Sequence, residues 1–325
     1  MTKEILIILA CVPLFVVNSF CDKYVSSKSG NKHNFLYNCL KFLLGSLCLL
    51  PMFLADDTPR FKLGVILCGI ACGVMYAVSK TIILKGYEKT SVAFMTFCHA
   101  AGMIVPCVIG HFFWSEKLSI WSAVGIILAI ASIVLLKDSK AEKRSFDIMG
   151  ILVGLVVFLT SGGVMIAQKL MGLYFVEQSV SAYNFYSFIV AFLILCLFVR
   201  PQKRDKKDMK AVLLCAAGSA ISLCVISLVM TKLAGNVPSV LLFPLFNGLG
   251  IIFVCIGSVF AFKEKLTAKK IIGLILGLVG LCIVNFGSHL LRSEQPKINT
   301  TQQGGVYFCF ERCCFALSQS NITQD

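Results

Sequence analysis

Long runs of apolar residues, separated by short polar segments, fill the first 288 positions of the chain. Residues 239–262 contain no charged side chain, and residues 121–136 form a second uncharged run. A helix needs ~20 apolar residues to cross the ~30 Å hydrocarbon core of a bilayer. The pattern predicts ten transmembrane spans at about residues 3–21, 35–54, 62–84, 91–113, 118–136, 147–168, 181–199, 211–233, 238–262 and 268–288.

The apolar residues are continuous within each span, whereas barrel strands would alternate apolar and polar positions. The spans are therefore predicted to be helices, and the fold class is an all-α membrane protein. The first span is kept as a helix, because the residues Cys21, Asp22, Lys23 and Tyr24 that follow it are a poor context for signal-peptide cleavage.

The pattern of spans occurs twice. Residues 62–137 align without a gap with residues 210–285, 148 positions later. In the first copy the clearest stretch reads Phe112, Glu116, Lys117, Leu118, Ser119 and Gly125. The second copy has Phe260, Glu264, Lys265, Leu266, Thr267 and Gly273. Earlier in each half the offset is 146, which pairs Lys23, Tyr37 and Asn38 with Lys169, Tyr183 and Asn184.

Each half contains five spans, so the second half must enter the membrane from the opposite face. The sequence predicts a first repeat over 1–137, a linker over 138–146, a second repeat over 147–288 and a polar, flexible tail over 289–325. Two inverted repeats commonly enclose a substrate site near the middle of the bilayer. This organisation indicates transport of a small molecule.

Composition supports a bilayer environment, because 58% of the 325 residues are apolar and only 14% are charged, against roughly 25% in soluble domains. The net charge of +14 comes mostly from short loops, where Lys and Arg set orientation. We therefore expect contact with lipid and none with nucleic acid. Lys and Arg are more numerous in the loops after odd-numbered spans, which taken alone places both termini outside the cell.

Cysteines and catalytic motifs give no sign of an enzyme. Most of the 16 cysteines lie inside spans, where they act as small apolar residues. Cys309, Cys313 and Cys314 in the tail are a weak signal for metal or lipid attachment. The sequence has no H-E-x-x-H, G-x-S-x-G or Walker A motif. No metal or cofactor is expected, and a gradient of protons, another ion or substrate would drive any pumping.

Polar residues near mid-bilayer are the candidate substrate-binding groups, because such residues are costly unless they face a partner or a wet cavity. His99 and Asn247 occupy equivalent positions of the two repeats, and an interhelical hydrogen bond is the structural alternative. Lys80 could bind an anionic group, or its ammonium could reach the membrane surface. The remaining candidates are Tyr76, Asn18, Gln168 and Asn184. Tyr37 and Tyr183 are interpreted as interfacial anchors.

Glu116 and Glu264 lie in the hairpins between the last two spans of each half, just before the potential N-caps Ser119 and Thr267. Structural hairpins are the preferred interpretation, and proton coupling is the alternative. Small residues at helical spacing follow, including Gly125 and Gly273. These predict close helix packing within the chain or between two copies of a homodimer.

The two copies of Phe-x-x-x-Glu-Lys-Leu-[Ser/Thr]-x-x-x-x-x-Gly resemble the end of the EamA-type repeat of the drug/metabolite transporter superfamily. Ser115 and Lys263 stand where that pattern usually has Gly. The resemblance implies ten helices around a central cavity, and export or exchange of amino acids, other metabolites or drugs by alternating access. It also implies that both termini are cytoplasmic, which disagrees with the distribution of Lys and Arg among the loops. If the chain is bacterial, the expected location is the cell membrane. The alternative is a non-transporting receptor or scaffold of the same fold.

Overall fold

A computed structural model gives the architecture of residues 1–288, which form one compact unit. The structure describes residues 2–29, 34–56, 61–89, 98–99, 101–114, 116, 119–136, 148–175, 180–199, 206–262, 268, 271–273, 275–280 and 282–283. The linker 138–146 and the tail 289–325 lie outside this part of the chain.

Ten apolar helices are described. They are α1 (Thr2–Ser29), α2 (Asn34–Ala55), α3 (Leu63–Lys89), α4 (Ile104–Phe113), α5 (Ile120–Leu136), α6 (Ile148–Tyr174), α7 (Val180–Cys196), α8 (Lys206–Asn236), α9 (Ser239–Phe262) and α10 (Ile271–Gly280). Of these, α1, α2, α3, α6 and α8 are long and apolar enough to cross a membrane by length and composition, and the other five are shorter apolar helices. Each corresponds to one predicted span, which confirms the fold class.

The two halves interlock with the symmetry expected of inverted repeats. Helix α3 packs against α6 and α7 of the second half, and its counterpart α8 packs against α1 and α2 of the first. Helices α2 and α7, which are themselves equivalent, also pack together. Each half therefore buries its helices mainly against the other half.

Phe42 of α2 and Phe188 of α7 mark the pseudo-two-fold axis. They are equivalent residues, both 0% exposed, and their rings meet edge-to-face at a centroid distance of 5.5 Å. Because the two residues contact each other, the axis passes between them. In an inverted repeat this axis lies in the membrane plane, so the pair sets the level of the bilayer centre. Tyr76 of α3 packs on both rings and lies at the same level.

The fourth span is interrupted beside His99. Residues 102 and 103 form a turn, and the Gly102 amide donates to the carbonyls of Cys98 and His99. Pro106 has no N–H, so the Gly102 carbonyl accepts instead from Val105, one residue earlier than in an α-helix. The α4 helix proper begins only at Ile104. Broken helices of this kind are typical of transporter sites near mid-bilayer.

Gly102 is required at this break because the chain there touches α6. A Cβ atom added to Gly102 would lie 2.8 Å from Cβ of Ser161 and 2.9 Å from the Gly162 nitrogen. The Ser161 hydroxyl donates to the His99 carbonyl at 2.8 Å, in addition to the longer hydrogen bond that this carbonyl accepts from the Gly102 amide. The close crossing fixes the backbone of His99 against the second half.

Candidate functional site

A buried ion pair lies close to the bilayer centre in the first half. Nζ of Lys41 on α2 is 3.1 Å from Oδ1 of Asp22 on α1, and the Tyr37 hydroxyl donates to the same oxygen at 2.6 Å. Lys41 is 1% exposed, whereas 35% of the Asp22 side chain is exposed. Lys41 directly precedes Phe42, which puts its backbone within about 1.5 Å of the central level at the rise of one helical residue.

Lys80 of α3 and His99 extend this charged cluster. Lys80 lies within electrostatic range of Asp22, Lys41 and His99. Lys80 lies four positions after Tyr76 on the same helix, so the backbone of Lys80 is about 6 Å from the central level. The edge of the hydrocarbon core is ~15 Å from that level. This environment favours an inward-facing role for Lys80 over contact of its ammonium with the membrane surface.

Lys80 and His99 are both partly exposed, although they belong to an apolar bundle. Within the described residues, neither the Lys80 ammonium nor the His99 ring has a hydrogen-bond or ion-pair partner. Unpaired polar groups inside a membrane protein are expensive unless they face water or a ligand. The two side chains therefore mark a place where a polar molecule can bind.

The second half carries a neutral counterpart of the cluster. Nε2 of Gln168 donates to the Ser227 hydroxyl at 3.5 Å, and Ser227 in turn donates to Oδ1 of Asn184. Tyr76 lies near Ser227 across the boundary between the halves. The structure thus brings two predicted residues, Gln168 and Asn184, into one network with Ser227, and places a third, Tyr76, beside it.

Asn18 joins the two halves on the charged side. The Ser219 hydroxyl of α8 donates to Oδ1 of Asn18 on α1. Ser219 also lies near the hydroxyl of Tyr37, which donates to Asp22. A chain of polar contacts therefore runs from the second half through Ser219 to the ion pair.

Asn247 does not share a contact with His99 in the described part of the molecule. It is 8% exposed, and Nδ2 donates to the Phe243 carbonyl of its own helix at 2.9 Å. Pro244 interrupts the hydrogen bonding of α9 nearby. The two equivalent positions thus differ. The His99 ring lies beside a broken helix and has no partner in the described residues, whereas the Asn247 side chain forms a hydrogen bond within its own helix.

The interpretation of two tyrosines as interfacial anchors is wrong. Tyr37 is 3% exposed and Tyr183 is 0% exposed. Each lies five residues before a residue of the central Phe42–Phe188 pair, which is about 7.5 Å along a helix. Helix packing buries both rings inside the bundle, whereas the sequence pattern alone indicated a position at the membrane surface.

A second buried ion pair, which we call the latch, joins the halves at one face. Nζ of Lys169 on α6 lies 2.7 Å from Oε1 of Glu116, and the two side chains are 3% and 11% exposed. The Lys169 ammonium also donates to the Val237 carbonyl at 2.9 Å. The Ser239 amide donates to Oε2 of Glu116 at 2.8 Å.

Helix dipoles favour both charges of the latch. Pro238 accepts the first hydrogen bonds of α9, so the Ser239 amide is one of the donors left open at that helix start, where a carboxylate is favoured. Val237 directly follows the end of α8, where a cation is favoured. The ion pair therefore holds together the end of α8, the start of α9, and α6.

Glu116 is thus more than a local hairpin residue, because its carboxylate binds the second half. Gly110 permits this arrangement: it accepts from the Glu116 amide at 3.0 Å, and an added Cβ would lie 2.5 Å from Oε2 of Glu116. The predicted N-cap is observed, since the Ser119 hydroxyl accepts from the Trp121 amide at 3.3 Å. The equivalent Glu264 lies outside the described residues.

The predicted packing glycines lie between α5 and α10 or inside the bundle. The Ser132 hydroxyl donates to the Gly273 carbonyl at 2.7 Å, and a Cβ on Gly277 would lie 2.5 Å from that hydroxyl. Gly125 is buried. Gly273 and Gly277 therefore serve contacts within the chain, and the homodimer stays a prediction.

Sequence reasoning missed Asp22, Lys41 and Ser219. A signal was available for Lys41, which is a charged residue at the seventh position of the apolar span 35–54. Lys169 was seen only as a repeated position, matched by Lys23. Its pairing with Glu116 depends on how the two halves interlock, which the register alone does not give.

Comparison with known proteins gives two findings. Residues 2–137 and 148–286 each match the model of the EamA-like transporter family. A solved structure described as "Crystal structure of protein" is similar over 91% of this chain and 100% of its own, with a TM-score of 0.70 and 15% identity. At that identity the likeness shows the fold alone. The search of curated proteins found no match.

Proposed function

This chain belongs to the EamA-like transporter family, and we propose that it is a secondary transporter that exports or exchanges a small polar metabolite, an amino acid or a drug-like compound. Membership makes it a multi-pass integral membrane protein of a family of transporters rather than enzymes. The substrate, the direction and the mechanism below are our proposals.

The observation that carries the proposal is a set of polar side chains from both halves near the bilayer centre. Asp22, Lys41 and Lys80 come from the first half, and Gln168 and Asn184 come from the second. Such groups are costly in hydrocarbon and usually line a substrate or ion pathway. Their position about the axis between the repeats is where inverted-repeat carriers bind substrate.

We propose alternating access as the mechanism. The hydrogen bond between Asn18 and Ser219 crosses from one half to the other, and Tyr76 lies near Ser227 across the same boundary. Rocking of the halves would break or remake these contacts as the site changes sides. The latch between Glu116 and Lys169 would hold one face closed. A proton, ion or substrate gradient would supply the energy.

Transport by purified protein in liposomes tests this function. Metabolites that differ between overexpressing and deletion cells would first be identified, and their uptake would then be measured. We expect uptake by the wild type and its loss in the double variant His99→Ala, Asn247→Leu, with expression unchanged. The control Val108→Ala, Phe253→Leu alters exposed positions of the same two helices and should transport normally.

Two results would overturn the proposal or its site. A folded protein that moves none of the identified metabolites would indicate the receptor or scaffold alternative. Normal transport by the His99 and Asn247 double variant would leave the function intact but would exclude these residues from the mechanism.

A further inference from the structure

We propose that the transported substrate carries an anionic group, and that the Lys80 ammonium and the His99 ring bind this group beside the Asp22–Lys41 ion pair. The inference rests on the proposed transport function and specifies the chemistry of the same site. A carboxylate and a phosphate monoester both satisfy it.

The charge balance of the site is the first argument. Asp22 is the acidic partner of Lys41 at 3.1 Å, and Tyr37 donates a further hydrogen bond to the same carboxylate oxygen. Lys80 adds a second cation within electrostatic range and has no ion-pair partner in the described structure. The cluster is therefore left with one uncompensated positive charge. An anionic ligand group would neutralise it.

The second argument is the set of unused hydrogen-bonding groups. Lys80 offers three N–H donors, and a neutral histidine ring offers one. Both side chains are partly exposed without partners among the residues described. Several donors around one cation suit an anion, because hydrogen bonds to charged groups are short and strong.

Comparison of the halves gives the third argument. The positions equivalent to Asp22, Lys41 and Lys80 are Gln168, Ser187 and Leu228. In the second half, Ser227 also donates to Asn184, whereas its equivalent Ser79 lacks a partner. At this position the second half satisfies its hydroxyl internally, and the first half does not. The anionic group should therefore bind on the first-half side of the axis.

Binding to matched pairs of probes tests the proposal. The pairs are lactate and lactamide, glucose 6-phosphate and glucose, and leucine and leucinamide, each differing in one anionic group. Their binding to the full-length protein in a nonionic detergent would be followed by thermal stabilisation at constant ionic strength. We expect at least one anionic member to bind about tenfold or more tightly than its partner. Lys80→Gln should remove this preference, and Lys62→Gln, an exposed lysine at the start of α3, should keep it.

The comparison within each pair uses the wild type and so stays informative if Lys80→Gln fails to fold. If no anionic probe binds the wild type more tightly than its neutral or cationic counterpart, the proposal is overturned. It is also overturned if phosphatidylglycerol stabilises the protein through Lys80 while soluble anions do not, because the ammonium would then hold a lipid headgroup.

Uptake into liposomes separates this inference from the proposed function. Transport of lactamide, glucose or leucinamide without transport of the anions would overturn the anion site and support a transporter. Lys80-dependent binding of an anion without transport of any probe would support the site and count against the transporter.

Discussion

Replacing Lys169 with methionine should destabilise the protein and open the face that the latch closes. Its ammonium contacts Oε1 of Glu116 at 2.7 Å and the Val237 carbonyl at 2.9 Å, and it is 3% exposed. The substitution keeps an apolar stem of similar length and removes the charge. The carboxylate of Glu116 would keep its hydrogen bond from Ser239 but lose its counter-ion.

The size of the effect follows from burial. Removing one partner of a buried ion pair costs about 3–5 kcal/mol of unfolding free energy, because the other charge stays buried and unpaired. Glu116 is 11% exposed and retains a backbone donor, so Lys169→Met should cost about 3 kcal/mol. Glu116→Gln should cost about 4 kcal/mol, since the ammonium left behind is more deeply buried although it keeps its hydrogen bond to the Val237 carbonyl. The double variant contains no unpaired charge and should cost about 1 kcal/mol.

Denaturant titration in mixed micelles would measure the unfolding free energies of these variants. Lys232→Met, which removes an exposed lysine of α8, is the control and should leave stability unchanged. Cys107 reports the opening of the face, because it is 1% exposed and its thiol lies 3.6 Å from the Ser239 carbonyl. Mass spectrometry would follow its alkylation by N-ethylmaleimide, which should be about tenfold faster in both single variants.

The double variant decides whether the latch exists. If its loss of stability equals the sum of the two single losses, the two side chains do not interact and the reasoning is refuted. Slow alkylation of Cys107 in a destabilised Lys169→Met protein would show that the pair supports the fold without closing this face.

Two further expectations use matched controls within the chain. Tyr37→Phe should lower the free energy of unfolding by about 1.5–3 kcal/mol, because the hydroxyl donates to a carboxylate. The equivalent Tyr183→Phe should be nearly neutral, since that hydroxyl has no oxygen or nitrogen partner in the described residues. Equal losses in the two variants would contradict the assignment. Gly172→Ala should cost about 1–3 kcal/mol by overpacking, because its Cβ would lie 2.5 Å from a backbone nitrogen of α8. The control Gly218→Ala meets nothing nearer than 3.9 Å, and a larger loss there than at Gly172 would disprove the crossing geometry.

The number of helices and their pairing into repeats could be predicted because continuous apolarity and a shared register are properties of the chain alone. The break before α4 could be suspected from Pro106, which cannot donate to the preceding turn. The position of the break beside His99 could not be predicted, because it depends on the close contact between Gly102 and α6.

The depth of individual side chains could not be predicted, because it depends on which helices interlock. Tyr37 and Tyr183 were interpreted as anchors at the membrane surface from their residue type, yet contacts between α2 and α7 place them in the interior. Glu116 had the pattern of a structural hairpin residue before the next helix, yet its carboxylate reaches the start of α9. Both differences arise from contacts between the repeats, which a pattern within one repeat does not contain.

The unequal chemistry of the two halves has an energetic consequence. If the repeats were identical, exchanging their conformations would convert the inward-facing state into the outward-facing one, and the two states would be degenerate. Charges at Asp22, Lys41 and Lys80, against neutral Gln168, Ser187 and Leu228, remove that degeneracy. The empty protein should therefore rest preferentially on one side of the cycle, with a bias encoded by the divergence of its own duplicated segments.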